Sequence, residues 1–169
     1  DSLPGKLPKD TLKKEFLDVL GCLGLQESNA IVHKFQVRRL LERRQDILEE
    51  LVDVRRDFNP NLVLAPSTCD VHQDHQAVSH EAIRAFKMHA SIVGYELPWN
   101  HMSFSSSMFL RLDKRHIEKK VELLRCYHSQ YEKGRNYFSS DFIFGLARVR
   151  GTQCNCLLAE AFEVIRWMI

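Results

Sequence analysis

Six consecutive residues, Asp70-Val71-His72-Gln73-Asp74-His75, hold two imidazoles and two carboxylates. Neutral imidazole nitrogens ligate zinc and similar ions, and a nearby carboxylate orients a ring by accepting its second N–H. His72-x-x-His75 with Asp74 between them therefore has the donor types of a metal or acid–base site. Polar loops that lead into helices also carry His and Asp for turn formation and capping alone. Position separates the two readings. The apolar run Leu62-Val63-Leu64-Ala65 comes just before the motif and gives way, through Pro66-Ser67-Thr68, to a helical pattern. The histidines would then stand at the carboxyl end of a core strand, where open α/β sheets hold their ligands.

The elements around the motif follow from apolar spacing. Leu62–Ala65 is short and continuously apolar, which predicts a strand buried on both faces of a parallel sheet. Upstream, Leu12, Phe16, Val19, Leu20 and Leu23 recur at helical spacing, with Thr11 as a cap and Gly24 as a terminator. Ala30–Phe35 reads as a strand. A long amphipathic helix is predicted over Arg38–Phe58, with Leu40, Leu41, Ile47, Leu48, Leu51, Val52 and Val54 on its apolar face, ended by Asn59-Pro60. Downstream, Val78, Ala82, Ala85 and Phe86 mark the buried face of the helix that follows the motif, capped by Asp74 or Ser67. Strands are predicted at Ser91–Leu97 and Met108–Leu112, and the loop between them, Trp99–Ser107, is a candidate pocket lining through its aromatic, Asn100 and His101. Asp113 opens a helix bearing Ile117, Val121, Leu124 and Tyr127; a shorter helix over Ser140–Arg148 stops near Gly151, and Ala159–Ile165 alternates as a final strand.

This alternation predicts one Rossmann-like layered α/β/α domain over residues 1–169, with a mostly parallel sheet and residues 1–10 as a mobile loop or tail. Only one run reads as a central parallel strand, so the first strand of such a sheet is expected to be missing. At 169 residues and 44% hydrophobic, the chain suits a single core. Twenty-four basic against 22 acidic side chains leave a charge of +2, far from the excess of a dedicated nucleic-acid binder. No apolar run has the length of a membrane span and no signal peptide is evident, so a cytoplasmic protein is expected, with a homo-oligomer left open. Five irregularly spaced cysteines read as reduced thiols, with Cys154-x-Cys156 packed rather than ligating. The seven glycines form neither a dinucleotide fingerprint nor a phosphate loop, which argues against a nucleotide-binding module. His33, His80, His89, His101, His116 and His128 are isolated in sequence and read as surface or packing residues.

With its flanking elements, Asp70-x-His72-x-Asp74-His75 resembles the second motif of the PIG-L/LmbE-like de-N-acetylases, with Gln73 where proline is common. The resemblance extends to Leu23-Gly24-Leu25, the strand leading to Pro66, Ser129-Gln130, Arg150-Gly151 and Ala159-Glu160-Ala161-Phe162. It implies a hydrolase that uses zinc or another divalent metal to remove the acetyl group from an N-acetylglucosamine-type sugar conjugate. His75 would ligate the metal. His72 would face the reacting carbonyl and stabilise the oxyanion, and Asp74 would hold the His72 ring in its protonated form. The metal in such enzymes polarises the carbonyl and activates a water.

The chain also departs from the family. Leu12-Lys13-Lys14-Glu15 stands where an arginine often precedes the glutamate. The first family motif, His-Pro-Asp-Asp-Glu, supplies the other ligands and the general base, and this sequence contains neither an Asp-Asp pair nor a His-Pro. The remaining ligands are therefore expected from a segment outside this sequence. The alternative is a degenerate relative that serves as a binding or structural module. No residue chooses the sugar.

Overall fold

In the computed structural model, which describes residues 7–169, the apolar run forms strand β1 (Leu62–Pro66), and the motif leads directly into helix α3 (Gln73–Phe86). β1 is parallel to β2 (Ser91–Tyr95), with Val63 beside Ile92 and Ala65 beside Gly94. β2 pairs on its other side with antiparallel β4 (Ala159–Arg166), and β3 (Met108–Arg111) completes a four-stranded sheet of order β1-β2-β4-β3. The other helices are α1 (Thr11–Cys22), α2 (Arg44–Phe58), α4 (Lys114–Arg125), the single turn α5 (His128–Tyr131) and α6 (Ser140–Gln153). The α/β class is the one the alternation predicts, and the sheet is mixed because β4 enters antiparallel. No helix among the described residues is long and apolar enough to cross a membrane.

The chain divides into two compact units: Phe35–Phe109 with Ala161–Ile169, and the chain up to Lys34 with Leu110–Glu160. The first of these carries the motif. Its core is Ala85, Phe86, Ala90 and Ile92, with Leu48, Leu51, Val52, Val63 and Ile165 packed around them. Alanines at positions 77, 82 and 85 make the buried face of α3 thin, so neighbouring elements approach it closely. A polar tie supplements this packing. Glu81, fully buried, accepts hydrogen bonds from Arg44 Nε at 2.5 Å and from Arg84 Nη1 at 2.6 Å, which joins the start of α2 to α3. A desolvated carboxylate is tolerable here because two guanidinium groups meet it.

In the other unit, Ile117, Val121, Ile143, Ala147 and Leu158 form the core. Glu15 of α1 is buried and accepts from Ser129 N at 2.6 Å and Ser129 Oγ at 2.8 Å, fixing α1 to α5. Gly151 lies inside α6, where a Cβ would meet the Cys156 and Leu157 carbonyl oxygens at 2.7 Å. All five cysteines are free thiols, as expected. Cys22 and Cys126 nonetheless meet at 3.6 Å between sulfurs, a proximity that residues 104 apart give no hint of in sequence.

Several local expectations change. β1 is not buried on both faces: Leu62 and Leu64, which share one face at a spacing of two, are exposed, and β1 is an edge strand of the sheet formed by the described residues. Ala30–Phe35 is irregular, with Ile31 and Val32 exposed and no ladder to order them. α2 begins at Arg44 rather than Arg38, because Arg38 takes a left-handed φ of 70° and Leu40–Arg43 form a 3₁₀ turn. α6 runs on to Gln153, past the predicted stop. α1 is preceded by Asp10, at φ 63°, and the Thr11 hydroxyl donates instead to Pro8 O at 2.7 Å. The α3 cap is His72, not Asp74 or Ser67. Of the expected tail, residues 1–6 lie outside the described residues, and Pro8–Asp10 turn into α1.

Gly94 links this fold to the motif. A Cβ there would meet Ser67 Cα at 2.8 Å and Glu163 Oε2 at 2.9 Å, and the first of these is backbone that cannot swing aside. Gly94→Ala is expected to destabilise the protein by about 1–3 kcal/mol, the usual cost of overpacking, read by chemical denaturation. A variant as stable as the parent would show that β2 and the turn after β1 do not approach this closely.

Candidate functional site

The turn after β1 is held by one carboxylate from β4. Glu163 Oε2 accepts from Ser67 Oγ at 2.7 Å and from Thr68 N at 2.8 Å, and its other oxygen accepts from the Thr68 hydroxyl. Ser67 Oγ in turn accepts from Cys69 N at 3.1 Å. The chain therefore leaves the sheet in one fixed direction, and Asp70 is delivered to the interior.

Asp70 is 1% exposed. Its Oδ1 accepts from His72 N at 2.8 Å, closing a tight turn, and its Oδ2 lies 2.7 Å from His75 Nδ1. An ionised carboxylate only accepts hydrogen bonds, so the neutral His75 ring carries its proton on Nδ1 and its lone pair on Nε2. His72 is arranged the other way. As the cap of α3 it accepts the Asp74 N–H on Nδ1 at 3.2 Å, which leaves the ring proton on Nε2. The two rings lie side by side, centroids 4.6 Å apart and planes 31° apart. The hydrogen bonds thus assign opposite tautomers to neighbouring imidazoles: a lone pair on His75 Nε2 and an N–H on His72 Nε2.

Asp74 has other partners than the resemblance implies. Its carboxylate does not hold the His72 ring; Oδ2 accepts from Arg38 N at 2.6 Å and Oδ1 from Leu40 N at 3.3 Å. Asp74 sits in the first turn of α3, and there its carboxylate faces the segment that enters α2, whose amides have no intrahelical acceptors. Its link to His72 runs through the backbone amide alone.

A second segment closes on the motif. Asp70 and His101 form an isolated antiparallel bridge, and Val71 N donates to Asn100 O at 3.0 Å. Asn100 Nδ2 lies 3.4 Å from Asp70 Oδ2 and 3.3 Å from His75 Nδ1. The His101 side chain is 3% exposed, with Nε2 4.0 Å from Asp70 Oδ2 and the ring stacked on Phe104 at 5.1 Å. Neither ring nitrogen of His101 has a hydrogen-bond partner among the described residues. Tyr95, at the end of β2, also feels this carboxylate: burial and then the negative charge of Asp70 push its phenol above the usual range. Asp70, to which the resemblance assigns no role, thus both closes the turn and partners His75. Sequence reasoning placed Trp99–Ser107 near a pocket but left His101 among packing residues, and its contact with Asp70 has no signal in spacing.

His75 Nε2 is oriented as a metal ligand should be, by a carboxylate on its other nitrogen. A catalytic zinc normally takes three protein ligands. Among the described residues, no group of three or more His, Cys, Asp and Glu side chains is arranged to hold an ion. These residues provide one prepared ligand and do not by themselves fit the metal.

No family model matches the chain. Solved structures do share its fold. The A40926 pseudoaglycone deacetylase Dbv21 superposes with a TM-score of 0.68 at 18% identity, over 94% of this chain and 72% of that one. N,N'-diacetylchitobiose deacetylase from Pyrococcus horikoshii gives 0.62 at 18% identity, over 92% and 63%. GalB, the 4-carboxy-2-hydroxymuconate hydratase from Pseudomonas putida KT2440, gives 0.65 at 19% identity, over 98% and 77%. At such identities the likeness establishes the fold, and the fold is the one the resemblance implies.

Asp70→Asn tests the electrostatic centre of this arrangement. Removing the charge is expected to lower the Tyr95 pKa while burial keeps it above 10.0, read from tyrosinate absorbance with Tyr95→Phe identifying the signal. An unchanged Tyr95 titration would mean that the two groups are not coupled.

Proposed function

We propose that the protein is a hydrolase that cleaves the amide of an N-acetylated sugar conjugate of the N-acetylglucosamine type. The observation that carries this reading is the pair of adjacent imidazoles held in opposite tautomers. Hydrolysis of an amide passes through a tetrahedral oxyanion, and it ends with a proton delivered to the departing amine. A preorganised donor aimed at the oxyanion supplies the first need, and a positioned acid supplies the second. His72 offers Nε2–H for the oxyanion, and its orientation is fixed because the Asp74 amide occupies Nδ1. His75, with Nε2 left as its lone-pair nitrogen by the Asp70 contact, would be one ligand of zinc or another divalent metal, which would polarise the carbonyl. Asp74 acts here by securing the Arg38–Leu40 turn and by fixing His72 through its amide.

The fold of the two deacetylases supports this reading, and the hydratase among the same structures shows why the fold alone does not carry it. The lack of a three-ligand group among the described residues favours a second reading, a module that binds such a conjugate without hydrolysing it.

Acetate release from an N-acetylglucosaminide and bound zinc, measured on the same preparations, distinguish them. His72→Ala is expected to lower turnover about 10²–10³-fold, the usual loss on removing one oxyanion donor, while leaving bound zinc unchanged. His75→Ala is expected to lose the zinc. A protein that takes up no zinc and releases no acetate would sink the hydrolase and leave the binding module.

A further inference from the structure

Two thiols meet in the unit that does not carry the motif. Cys22 is the last residue of α1 and Cys126 caps α4, and their sulfurs stand 3.6 Å apart although the residues are 104 apart in sequence. Cys126 Sγ also lies 3.7 Å from Glu122 O, the carbonyl one turn before it in α4. The Cys126 proton is directed to that carbonyl, which leaves its sulfur to accept from the Cys22 thiol. Cys22 is exposed and Cys126 half-buried, so the pair is reached from solvent through Cys22.

Bonded sulfurs stand about 2.05 Å apart, so closing this pair takes a shift of about 1.5 Å. Helix ends are where the backbone yields most readily, and both residues sit at one. Burial, then the Cys22 hydrogen bond and the charges of Cys22, Asp18 and Glu122, pushes the Cys126 thiol up. Cys126 therefore stays protonated while Cys22 meets an oxidant first. An accessible thiol beside a second one is the arrangement in which a sulfenic acid is resolved to a disulfide. Cys154 and Cys156 also meet, at 3.4 Å, but only Asn155, at φ 53°, separates them, and Cys156 donates to Leu158 O at 3.2 Å. A bond there would close a loop too short to restrain the chain, whereas a Cys22–Cys126 bond would join two helices.

We propose that Cys22 and Cys126 form a peroxide-sensitive dithiol whose oxidation fastens the end of α1 to the end of α4. The Cys22 sulfur attacks a peroxide oxygen; the O–O bond breaks, one water leaves, and Cys22 becomes a sulfenic acid. The Cys126 sulfur then attacks the Cys22 sulfur. An S–S bond forms as the S–O bond breaks, and the departing hydroxide takes the Cys126 proton and leaves as a second water. Two thiols lose two electrons, and hydrogen peroxide is reduced to two waters. Glu15 already holds the first half of α1 to α5 through Ser129, so the disulfide gives that helix a second fastening at its other end. The dithiol stands independently of the sugar-amide reading above, because it uses no residue of the motif.

The test treats the intact protein with hydrogen peroxide, alkylates the remaining thiols and maps the peptides by mass. Trypsin places Cys22 in residues 15–34, Cys126 in residues 126–133, and both Cys154 and Cys156 in residues 151–166, so each bond has its own mass. The expected product links 15–34 to 126–133, is reversed by dithiothreitol, and melts about 5 °C or more above the reduced protein. Cys126→Ser is expected to leave Cys22 as a sulfenic acid that dimedone labels. Cys22→Ser is expected to melt within about 2 °C of the parent when reduced and to lose the rise on oxidation. Any of five results overturns the proposal: both cysteines still alkylated after peroxide, a bond confined to Cys154 and Cys156, dimers cross-linked through Cys22, no dimedone label on Cys22 in Cys126→Ser, or a linked protein that melts no higher than the reduced one.

Discussion

The rest of the site depends on the need to satisfy one buried carboxylate. Asp70 is almost fully withdrawn from water, and a charge so placed must be met by donors. Its Oδ1 takes the His72 amide, which bends the chain into α3. Its Oδ2 takes His75 Nδ1, which fixes both the orientation of that ring and the nitrogen left with a lone pair. Asn100 and His101 gather on the same oxygen, so the loop after β2 docks against the loop after β1. Glu163 makes this possible from below by holding Ser67 and Thr68, three hydrogen bonds to one side chain that set where the turn begins. The backbone of the motif is thus determined at its start by β4 and at its centre by Asp70.

The two aspartates of the motif divide the work in an unexpected way. By spacing, an aspartate one residue before a histidine is the natural partner for a neighbouring ring, yet the Asp74 carboxylate accepts from Arg38 N and Leu40 N. The geometry of a helix start explains this. His72 is the cap, so its ring folds back to accept the amide of Asp74, and the Asp74 side chain is directed away toward the entry of α2. Arg38 can hold its left-handed conformation because that carboxylate secures its amide. The carboxylate that matters to an imidazole is Asp70, and the ring it serves is His75. One aspartate sets a tautomer and the other sets a loop.

What the sequence discloses follows the range of the interactions. Period and punctuation are local, so α3, β2, β3 and the body of α2 lie where their apolar spacing predicts. The chemistry of Asp70–His75 is local too, because the motif brings its own imidazoles together. Failures occur where a distant partner decides. Ala30–Phe35 has the composition of a strand and pairs with no strand among the described residues. Leu62 and Leu64 look like core and are exposed, since composition does not tell an edge strand from a central one. Glu163 reads as one alternating residue of a strand, and only the fold carries it to a turn 95 residues earlier. His101 is the sharpest case: it is a lone histidine until the bridge sets it against Asp70.

The shared fold also limits what a pair of imidazoles can be taken to mean. Sheets of this kind deliver loops from the carboxyl ends of their strands to one region, and that placement serves many reactions. A lone-pair nitrogen beside an N–H donor suits any step in which a carbonyl oxygen gains charge while a neighbouring centre is activated, and the amide reading needs more than that. It needs an electrophile-activating partner for His75 and a substrate whose amide is held at the right depth. The first requirement concerns His75 Nε2, which Asp70 has already oriented and which stands without two companions among the described residues. The second concerns the segment after β2, whose Asn100 side chain lies against both Asp70 and His75. Both requirements fall on residues next to the Asp70–His101 bridge, so the contact that docks the loop after β2 also sets the surroundings of the histidines.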